Sequence, residues 1–218
     1  MVIVYHNKTR MSLLLIIFQI VVLVFSVVLH EVSHGYVAEQ LGDPTARRLG
    51  RLTLNPLKHL DPFGSVILPL LLALMPGGIV FGWAKPVPYD PRNLKNPERG
   101  GALIAAAGPL TNLILAAVFA VAIRVLPLLP FSETLLAALA TLFINIVIIN
   151  ASLAVFNLVP IPPLDGSKVL FGFIPAFAPE LRMMLERYGL FVLIFFIAMG
   201  APFLGPIIGA LVRFLIGG

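Results

Sequence analysis

The pattern HEVSH at residues 30–34 places two histidines four positions apart and a glutamate directly after the first of them. On an α-helix, residues four apart lie on one face, so the imidazoles of His30 and His34 can bind one metal ion while Glu31 lies beside it. A catalytic zinc site takes three protein ligands and keeps its fourth position for water. The rest of the sequence is therefore expected to supply a third ligand.

The elements that carry this pattern are unusually apolar. Of 218 residues, 59% are hydrophobic and 11% are charged, and the mean hydropathy is +1.02. These values lie far from the balance of soluble domains. We therefore predict an all-α polytopic membrane protein in which residues 1–218 form a single domain surrounded by the lipid bilayer.

Composition also limits the metal ligands and the partners. The chain has no cysteine, so any metal must be bound by His, Asp or Glu side chains. The formal charge is +5 and the pI is near 9.9, but no basic soluble domain is present to bind nucleic acid. We interpret the charge as a determinant of membrane topology and expect no nucleic-acid partner.

The helix that carries the histidines is predicted to run from about Met11 to Leu41, where a Gly-Asp-Pro turn ends it. At 1.5 Å per residue, His30 lies roughly 26 Å along the helix from Leu13, near the far boundary of a hydrocarbon core about 30 Å thick. The metal site is therefore expected close to one membrane surface.

Further apolar stretches predict about four to six transmembrane helices in total. The last stretch can form one span kinked at Gly200 or two shorter segments. The predicted stretches after the first helix are Ala102–Leu126, Ser132–Val159 and Tyr188–Ile216.

Residues Phe63–Phe81 form an apolar stretch of marginal length between two basic segments. Short basic loops belong on the cytoplasmic side, so this stretch is predicted to enter and leave by one face as a re-entrant hairpin, with a true span as the alternative. The following residues, Ile79–Tyr89, predict a short extended, β-like element whose edge could pair with a peptide. An interfacial loop anchored by Trp83 and Tyr89 is the alternative.

Asp165 is the candidate third ligand. Acidic side chains at membrane depth need a partner, and a metal bound by two histidines would serve both Glu31 and Asp165. The prolines at residues 160–163 unwind the chain there and Gly166 permits a tight turn, so Asp165 can point inward. Three alternating spans return Asp165 to the face that holds His30 and His34.

The segments HEVSHGYVAEQLGDP, GPLTN and NLVPIPPLDG, in this order, resemble the site-2 protease family of intramembrane zinc metalloproteases. The segments GRLTLNPLKHLDPFG and FGWAKPVPYDPRNLKNP are similar to its compact prokaryotic branch without PDZ or CBS domains. The resemblance covers roughly residues 23–167. One departure is Ser167, where many relatives have a second glycine.

The resemblance implies that His30, His34 and Asp165 bind one zinc ion. It also implies that Glu31, which is not a ligand, acts as general base on the attacking water and then as general acid on the leaving amine. The expected reaction is hydrolysis of a peptide bond in a transmembrane protein or peptide substrate. The resemblance places the active site near the cytoplasmic face of the cell membrane.

Two asparagines complete the expected site. The resemblance implies that Asn157, and with it Asn112, hold the reacting carbonyl or line the cleft, where such a donor could stabilise the oxyanion. For Asn112 an interhelical hydrogen bond without a site role is the alternative. A metal ion transporter is the alternative function, because such proteins also place His and Glu on membrane helices.

Overall fold

The computed structural model of the chain describes residues 13–67, 71, 82–173 and 179–217. Within these ranges the regular structure is helical, which confirms the predicted all-α class. Three helices are long and apolar enough to cross a membrane, and a bent helix pair near the carboxyl end raises the number to four if the pair is one span. The polytopic membrane fold predicted from the sequence is therefore confirmed.

Helix α1 spans Leu13–Gln40, close to its predicted range. Its end is a Schellman motif. Gly42 adopts a φ of 105°, a conformation that favours glycine. The Gly42 N–H donates to the Glu39 carbonyl at 3.0 Å, and the Asp43 N–H donates to the Ala38 carbonyl at 2.9 Å. The turn predicted to stop α1 therefore does so by satisfying its last carbonyl groups.

A loop region follows α1 and lies at the same end of the molecule as its carboxyl terminus. It contains the short helix α2, Thr45–Arg48, and single turns at Pro56–Lys58 and Pro91–Asn93. The side chain of Asp43 is fully buried and accepts hydrogen bonds from Thr45, from the Asn93 amide at 2.7 Å and from the Asp90 N–H at 2.8 Å. Asp43 therefore ties the later loop to the end of α1.

Burial alone would raise the pKa of Asp43, because it penalises the charged carboxylate. The hydrogen bonds from Thr45, Asn93 and the backbone of Asp90 outweigh that penalty and hold the pKa below its ordinary value. Asp43 thus stays ionised, and this is the form that can accept every one of these hydrogen bonds.

Helices α3 and α4 are the second and third predicted spans. Helix α3, Pro97–Val125, begins with Asn96 as its N-cap and Pro97 in its first turn. Helix α4, Glu133–Asn157, begins with Ser132 as its N-cap. Helix α4 lies within two residues of its predicted boundaries at each end, whereas α3 begins five residues before the predicted Ala102 and ends one residue before the predicted Leu126.

Helices α1, α3 and α4 pack against one another through small side chains. Ala38 on α1 packs in one cluster with Ile104 on α3, and Ala116 and Ala120 on α3 pack in another with Val147 on α4. Small residues allow helix backbones to approach closely, which is the usual basis of packing between membrane helices. Large apolar side chains such as Leu14 and Val118 remain exposed on the outside, as expected of a surface that faces lipid.

The carboxyl-terminal part contains three helices: α5, Asp165–Phe173; α6, Pro179–Phe195; and α7, Ala201–Ile216. A π-helical turn, Phe196–Gly200, joins α6 to α7, and the segments Arg182–Met199 and Phe203–Ile216 meet at an angle of 75°. The bend falls where the kink was predicted. A π-helical turn is a recognised cause of such a bend.

The segment Gly82–Tyr89 is not a β-strand, and the predicted β-like element at Ile79–Tyr89 is wrong over this described part. Its alternate backbone N–H groups donate to unrelated acceptors instead of to one partner strand, and prolines at positions 86 and 88 have no N–H to offer. The donors and acceptors are Trp83 N–H to the Gly64 carbonyl, Lys85 N–H to the His59 carbonyl and Val87 N–H to the Glu31 side chain.

The predicted re-entrant hairpin, Phe63–Phe81, falls mostly outside the described residues and stays a prediction. Its first part belongs to a π-helical segment, Pro62–Ile67. This segment is held to the later loop by the Ser65 hydroxyl, which donates to the Trp83 carbonyl at 2.8 Å.

Candidate metal centre

His30 and His34 lie one turn apart on the side of α1 that faces α3. Their ring centroids are 4.7 Å apart and the ring planes are nearly perpendicular, at 88°. Both side chains are buried, with relative exposures of 6% and 8%. The helical spacing of four therefore brings two imidazoles to one enclosed point, as predicted.

Asp165, the first residue of α5, reaches this point from the opposite end of the sequence. Its Oδ2 lies 3.0 Å from Nε2 of His30 and 3.4 Å from Nε2 of His34. Four ligands at about 2.0 Å from a zinc ion in tetrahedral geometry are separated by about 3.3 Å. The two distances from the Asp165 oxygen therefore match the spacing between zinc ligands.

The chain reaches this position through the unwound segment between α4 and α5. Gly166 is required there for space, since a Cβ at this position would lie 2.6 Å from the Val159 carbonyl oxygen and closer still to that of Leu158. Its φ is not in the left-handed region. The predicted need for glycine is correct, but its reason is close backbone approach.

The other ring nitrogens determine which tautomer each histidine adopts. Nδ1 of His34 lies 2.6 Å from the Ile104 carbonyl oxygen, which can only accept, so this nitrogen donates its hydrogen. Nδ1 of His30 lies 2.7 Å from Oδ1 of Asn112 and donates to it. In its neutral form, each imidazole therefore directs the lone pair of Nε2 toward the shared point.

This donor set fits a metal ion. One oxygen of Asp165 lies within 3.4 Å of both Nε2 atoms, and acceptors at such distances repel one another unless a metal ion or a proton lies between them. Neutral imidazoles and a carboxylate are also the ligand types that zinc accepts in catalytic sites. His30, His34 and Asp165 would therefore hold the ion.

Gly108 on α3 allows the two helices to meet at this point. A Cβ at position 108 would lie 2.6 Å from Cε1 of His34 and closer still to Nε2 of His30. Any larger residue would push into the imidazoles. The GPLTN segment thus provides space for the imidazoles at Gly108, its first residue, and a hydrogen-bond partner for His30 at Asn112, its last residue.

Glu31 lies beside the histidines and is held from the loop. Its Oε2 accepts a hydrogen bond from the Val87 N–H at 2.9 Å, while Oε1 has no hydrogen-bond partner in the described part of the chain. Val87 can approach α1 because residue 35 is glycine, where a Cβ would lie 2.9 Å from the Val87 side chain. Sequence reasoning missed this contact, since a backbone donor has no side-chain signature.

Two carboxylates could complete the metal site with the histidines. Ligand atoms of His30, Glu31 and His34 lie within 4.8 Å of one another. Asp165 is closer, with one oxygen within 3.4 Å of both Nε2 atoms. The geometry therefore favours Asp165 as the third ligand and leaves Glu31 beside the site as a side chain that is not a ligand.

A comparison with known protein families matches the chain to peptidase family M50, over residues 18–141 and 128–200. The chain belongs to peptidase family M50. This confirms the resemblance to the site-2 proteases, and it places the His30 and His34 cluster in a family of zinc metalloproteases.

Individual M50 relatives agree. YwhC of Bacillus subtilis (strain 168), named as a candidate zinc metalloprotease, is 39% identical over 197 residues, which is 88% of this chain and 85% of YwhC. Rip2 of Mycobacterium tuberculosis (strain ATCC 25618 / H37Rv), named likewise, is 33% identical over 181 residues, covering 83% of this chain and 64% of Rip2. MJ0611 of Methanocaldococcus jannaschii, also so named, is 35% identical over 150 residues, with 68% and 71% covered. No solved structure gives a significant match.

The two asparagines predicted for this M50 site lie in different surroundings. Asn112 is fully buried, with Oδ1 bound to His30 and its amide nitrogen donating to Oδ1 of Asn150 at 2.9 Å. Asn157 is partly exposed at the end of α4, and its amide nitrogen donates to the Leu153 carbonyl at 2.9 Å. Asn112 therefore contacts a histidine of the site, whereas Asn157 contacts its own helix.

Asn150 is a residue that sequence reasoning missed. It is buried in the middle of α4, with a relative exposure of 1%, and is linked to the metal cluster through Asn112. A signal existed, because an amide inside an apolar membrane helix needs a hydrogen-bond partner. Its partner could not be read from the sequence, since it depends on how α3 and α4 face each other.

Proposed function

We propose that this chain is an intramembrane zinc metalloprotease that hydrolyses peptide bonds within or near transmembrane segments of membrane proteins. The observation that carries the proposal is the convergence of the Nε2 atoms of His30 and His34 with Oδ2 of Asp165 beside the free side of Glu31. Membership of a zinc metalloprotease family supports the reaction class. Helices able to span a membrane support a substrate drawn from the bilayer.

His30, His34 and Asp165 would hold one zinc ion in this proposal. Zinc so bound supplies a Lewis acid that lowers the pKa of a water ligand toward about 7 and polarises a carbonyl. The chain's own contribution is to keep both Nε2 atoms unprotonated through the acceptors on their Nδ1 atoms. It also keeps the ligands buried, which strengthens the electrostatic attraction among them.

Glu31 would act as the proton carrier. The Val87 N–H binds Oε2 and orients the carboxylate, so Oε1 is available to take a proton from water as the water oxygen bonds to the peptide carbonyl carbon. When the C–N bond breaks, Oε1 returns that proton to the leaving amine nitrogen. Water is consumed, a carboxylic acid and an amine are formed, which exchange a proton to give carboxylate and ammonium, and Glu31 is regenerated.

The reacting carbonyl needs a hydrogen-bond donor as its oxygen becomes negative. Asn157 is the proposed donor, because it is partly exposed and its amide carries a second N–H besides the one bound to Leu153. Both polar ends of Asn112 are already bonded to His30 and Asn150. The structure thus favours orientation of His30 as the role of Asn112.

The proposed location of the site is near the cytoplasmic face of the cell membrane. His30 lies in the carboxyl-terminal half of α1, and the loop region beyond α1 is rich in basic side chains. Loops with excess Lys and Arg stay on the cytoplasmic side. The basic residues of this loop region and of the first turn of α3 are Arg47, Arg48, Arg51, Lys58, Lys85, Arg92, Lys95 and Arg99.

The test uses the purified full chain in lipid nanodiscs with zinc and a panel of single-span membrane peptides. We expect wild type to cut at least one peptide near one end of its apolar segment, and Glu31→Gln to cut none while still folding. Zinc-loaded wild type that leaves the whole panel intact, but moves zinc into sealed vesicles, would contradict the proposal in favour of metal transport.

A further inference from the structure

A line of buried amides connects the middle of α4 to the metal cluster. The amide nitrogen of Asn150 donates to the Ile146 carbonyl at 3.0 Å, and that of Asn112 donates to Oδ1 of Asn150 at 2.9 Å. Oδ1 of Asn112 then accepts from Nδ1 of His30 at 2.7 Å. Asn112 and Asn150 have relative exposures of 0% and 1%, so the line is sealed from solvent.

The Ile146 carbonyl, at the end of the line farthest from His30, sets the orientation of each amide in it. The Ile146 carbonyl can only accept, so the NH2 group of Asn150 must face it and Oδ1 must face Asn112. That oxygen in turn attracts the NH2 group of Asn112 and leaves Oδ1 of Asn112 to face His30. The hydrogen of His30 is thereby kept on Nδ1 and its metal-facing nitrogen is left unprotonated.

The two histidines thus differ in how their tautomers are fixed. His34 donates directly to a backbone carbonyl, that of Ile104, which cannot turn round. His30 donates to a side-chain amide, which could present either its oxygen or its nitrogen. The Asn112 amide nitrogen donates to Asn150 and, at a longer distance of 3.4 Å, to the Ser26 carbonyl. These two contacts are what turn the Asn112 oxygen toward His30.

We infer that Asn150 is a positioning residue for the metal site, which fixes the tautomer of His30 through the orientation of Asn112. The inference rests on the proposed zinc site. Without the Asn150 oxygen, the Asn112 amide can invert and present NH2 to Nδ1 of His30. The hydrogen of His30 then moves to Nε2, where it competes with the metal.

The first experiment measures zinc affinity of the purified chain in detergent by competition with a chromophoric chelator. Asn150→Ala is expected to weaken zinc affinity by about 10-fold, the lower end of the effect of losing an outer partner of a metal ligand, because Asn112 stays in place but loses its fixed orientation. Asn150→Leu, which keeps an apolar side chain of similar size in the helix interface, is expected to do the same. Asn150→Leu replaces Asn150→Ala in the measurement if the alanine variant does not fold.

The chain offers a matched control on the same helix. The Gln19 amide nitrogen donates to Oδ1 of Asn145 at 2.6 Å, which joins α1 to α4 without touching the metal cluster. Asn145→Ala therefore removes an interhelical amide bond of the same kind. We expect its zinc affinity to stay within about threefold of wild type, since it leaves the outer partners of the metal ligands in place.

A second experiment separates orientation from packing. In Asn112→Asp both side-chain oxygens accept, so the contact with His30 no longer depends on which end faces it. Adding Asn150→Ala to Asn112→Asp should then cost little further zinc affinity. The 15N shifts of the His30 imidazole in metal-free protein report the tautomer directly, and should show hydrogen on Nδ1 in wild type and loss of that preference in Asn150→Ala.

Three results would overturn the inference: unchanged zinc affinity in both Asn150 variants, an equal loss in Asn145→Ala, or an undiminished effect of Asn150→Ala in the Asn112→Asp background. A wild-type chain that binds no zinc would instead refute the proposed function. The two failures are therefore distinguishable.

Discussion

The two oxygens of the Glu31 carboxylate have different surroundings, and this difference gives the residue its proposed role. Oε2 accepts from the Val87 N–H, while Oε1 faces no partner among the described residues. A carboxylate anchored on one side keeps the other oxygen in place for proton transfer. The anchor is a backbone group, so it can be removed only by changing residue 87 to proline.

Val87→Pro is expected to lower kcat for peptide hydrolysis by about tenfold or more, on the scale of losing an outer hydrogen-bond partner in a metal site. Residues 86 and 88 are already prolines, so a third continues an extended backbone. Val87→Thr keeps both the shape and the N–H and is the control. Equal kcat in Val87→Pro and Val87→Thr would remove the anchoring role.

Sequence spacing predicted the residues whose side chains define the chemistry. His30, His34 and Glu31 follow from helical periodicity, and Asp165 follows from the need of a membrane carboxylate for a partner. Val87 and Asn150 were missed for a physical reason. Val87 acts through its backbone N–H, and Asn150 acts through a contact that depends on how α3 and α4 pack together. Neither feature leaves a pattern in a single sequence.

The close approach of α1 and α3 is the element-scale condition for the metal site. It depends on Gly108, whose absent side chain leaves room for both imidazoles. Gly108→Ala is expected to displace the rings and lower zinc affinity by about tenfold or more. The measurement is the same chelator competition.

Gly205→Ala on α7 is the matched control, because no atom lies within 4 Å of a Cβ at that position. Alanine also favours a helix over glycine by about 1 kcal/mol, so this variant should bind zinc normally and melt no earlier than wild type. Normal zinc binding by Gly108→Ala would show that the imidazoles do not need the space.

The loop that carries Val87 is held to the end of α1 by Asp43. In Asp43→Asn an NH2 group would face the Asp90 N–H in place of an accepting oxygen, which leaves a buried donor unpaired. We expect a loss of about 1–3 kcal/mol in the free energy of unfolding at pH 7 and a lower kcat. Thermal melting and peptide hydrolysis measure the two effects.

The pH dependence of this variant has a definite sign. The folded pKa of Asp43 lies below its ordinary value of 3.8, so the stability it contributes is complete above about pH 4 and is lost as the pH falls through the folded pKa. The difference in melting temperature between wild type and Asp43→Asn should therefore shrink below about pH 4. Asp90→Asn is the control, because it leaves the Asp90 N–H in place and should keep normal activity at pH 7. A difference in melting temperature between wild type and Asp43→Asn that stays constant across pH would contradict this account.

Element boundaries were predicted well where the sequence marks them chemically. Gly42 ends α1 and Ser132 begins α4 through their own backbone or side-chain groups. The start of α3 was predicted at Ala102 and lies at Pro97, because the Asn96 cap was not recognised. The extended element was predicted wrongly as β-like, because its acceptors are the carbonyls of His59 and Gly64, in the loop region, and the side chain of Glu31 on α1. Local sequence shows that Gly82–Tyr89 is extended, but it does not show what the backbone binds.

At the scale of the whole molecule, three membrane-length helices bring the two ends of the site together. Helix α1 delivers the histidines, and α3 and α4 return the chain so that Asp165 arrives at the same end. This topology followed from counting apolar spans, because each span reverses the side of the membrane. The 75° bend between α6 and α7 needed the structure, since the sequence also allowed two separate segments.

Zinc content per chain of the purified wild type, Glu31→Gln and Asp165→Ala tests the central claim most directly, because it needs no known substrate. The account predicts about one zinc in wild type, about one in Glu31→Gln and little in Asp165→Ala, since three protein ligands hold the ion and Glu31 is not among them. Loss of zinc from Glu31→Gln together with retention in Asp165→Ala would show that Glu31 is the ligand and would contradict the account.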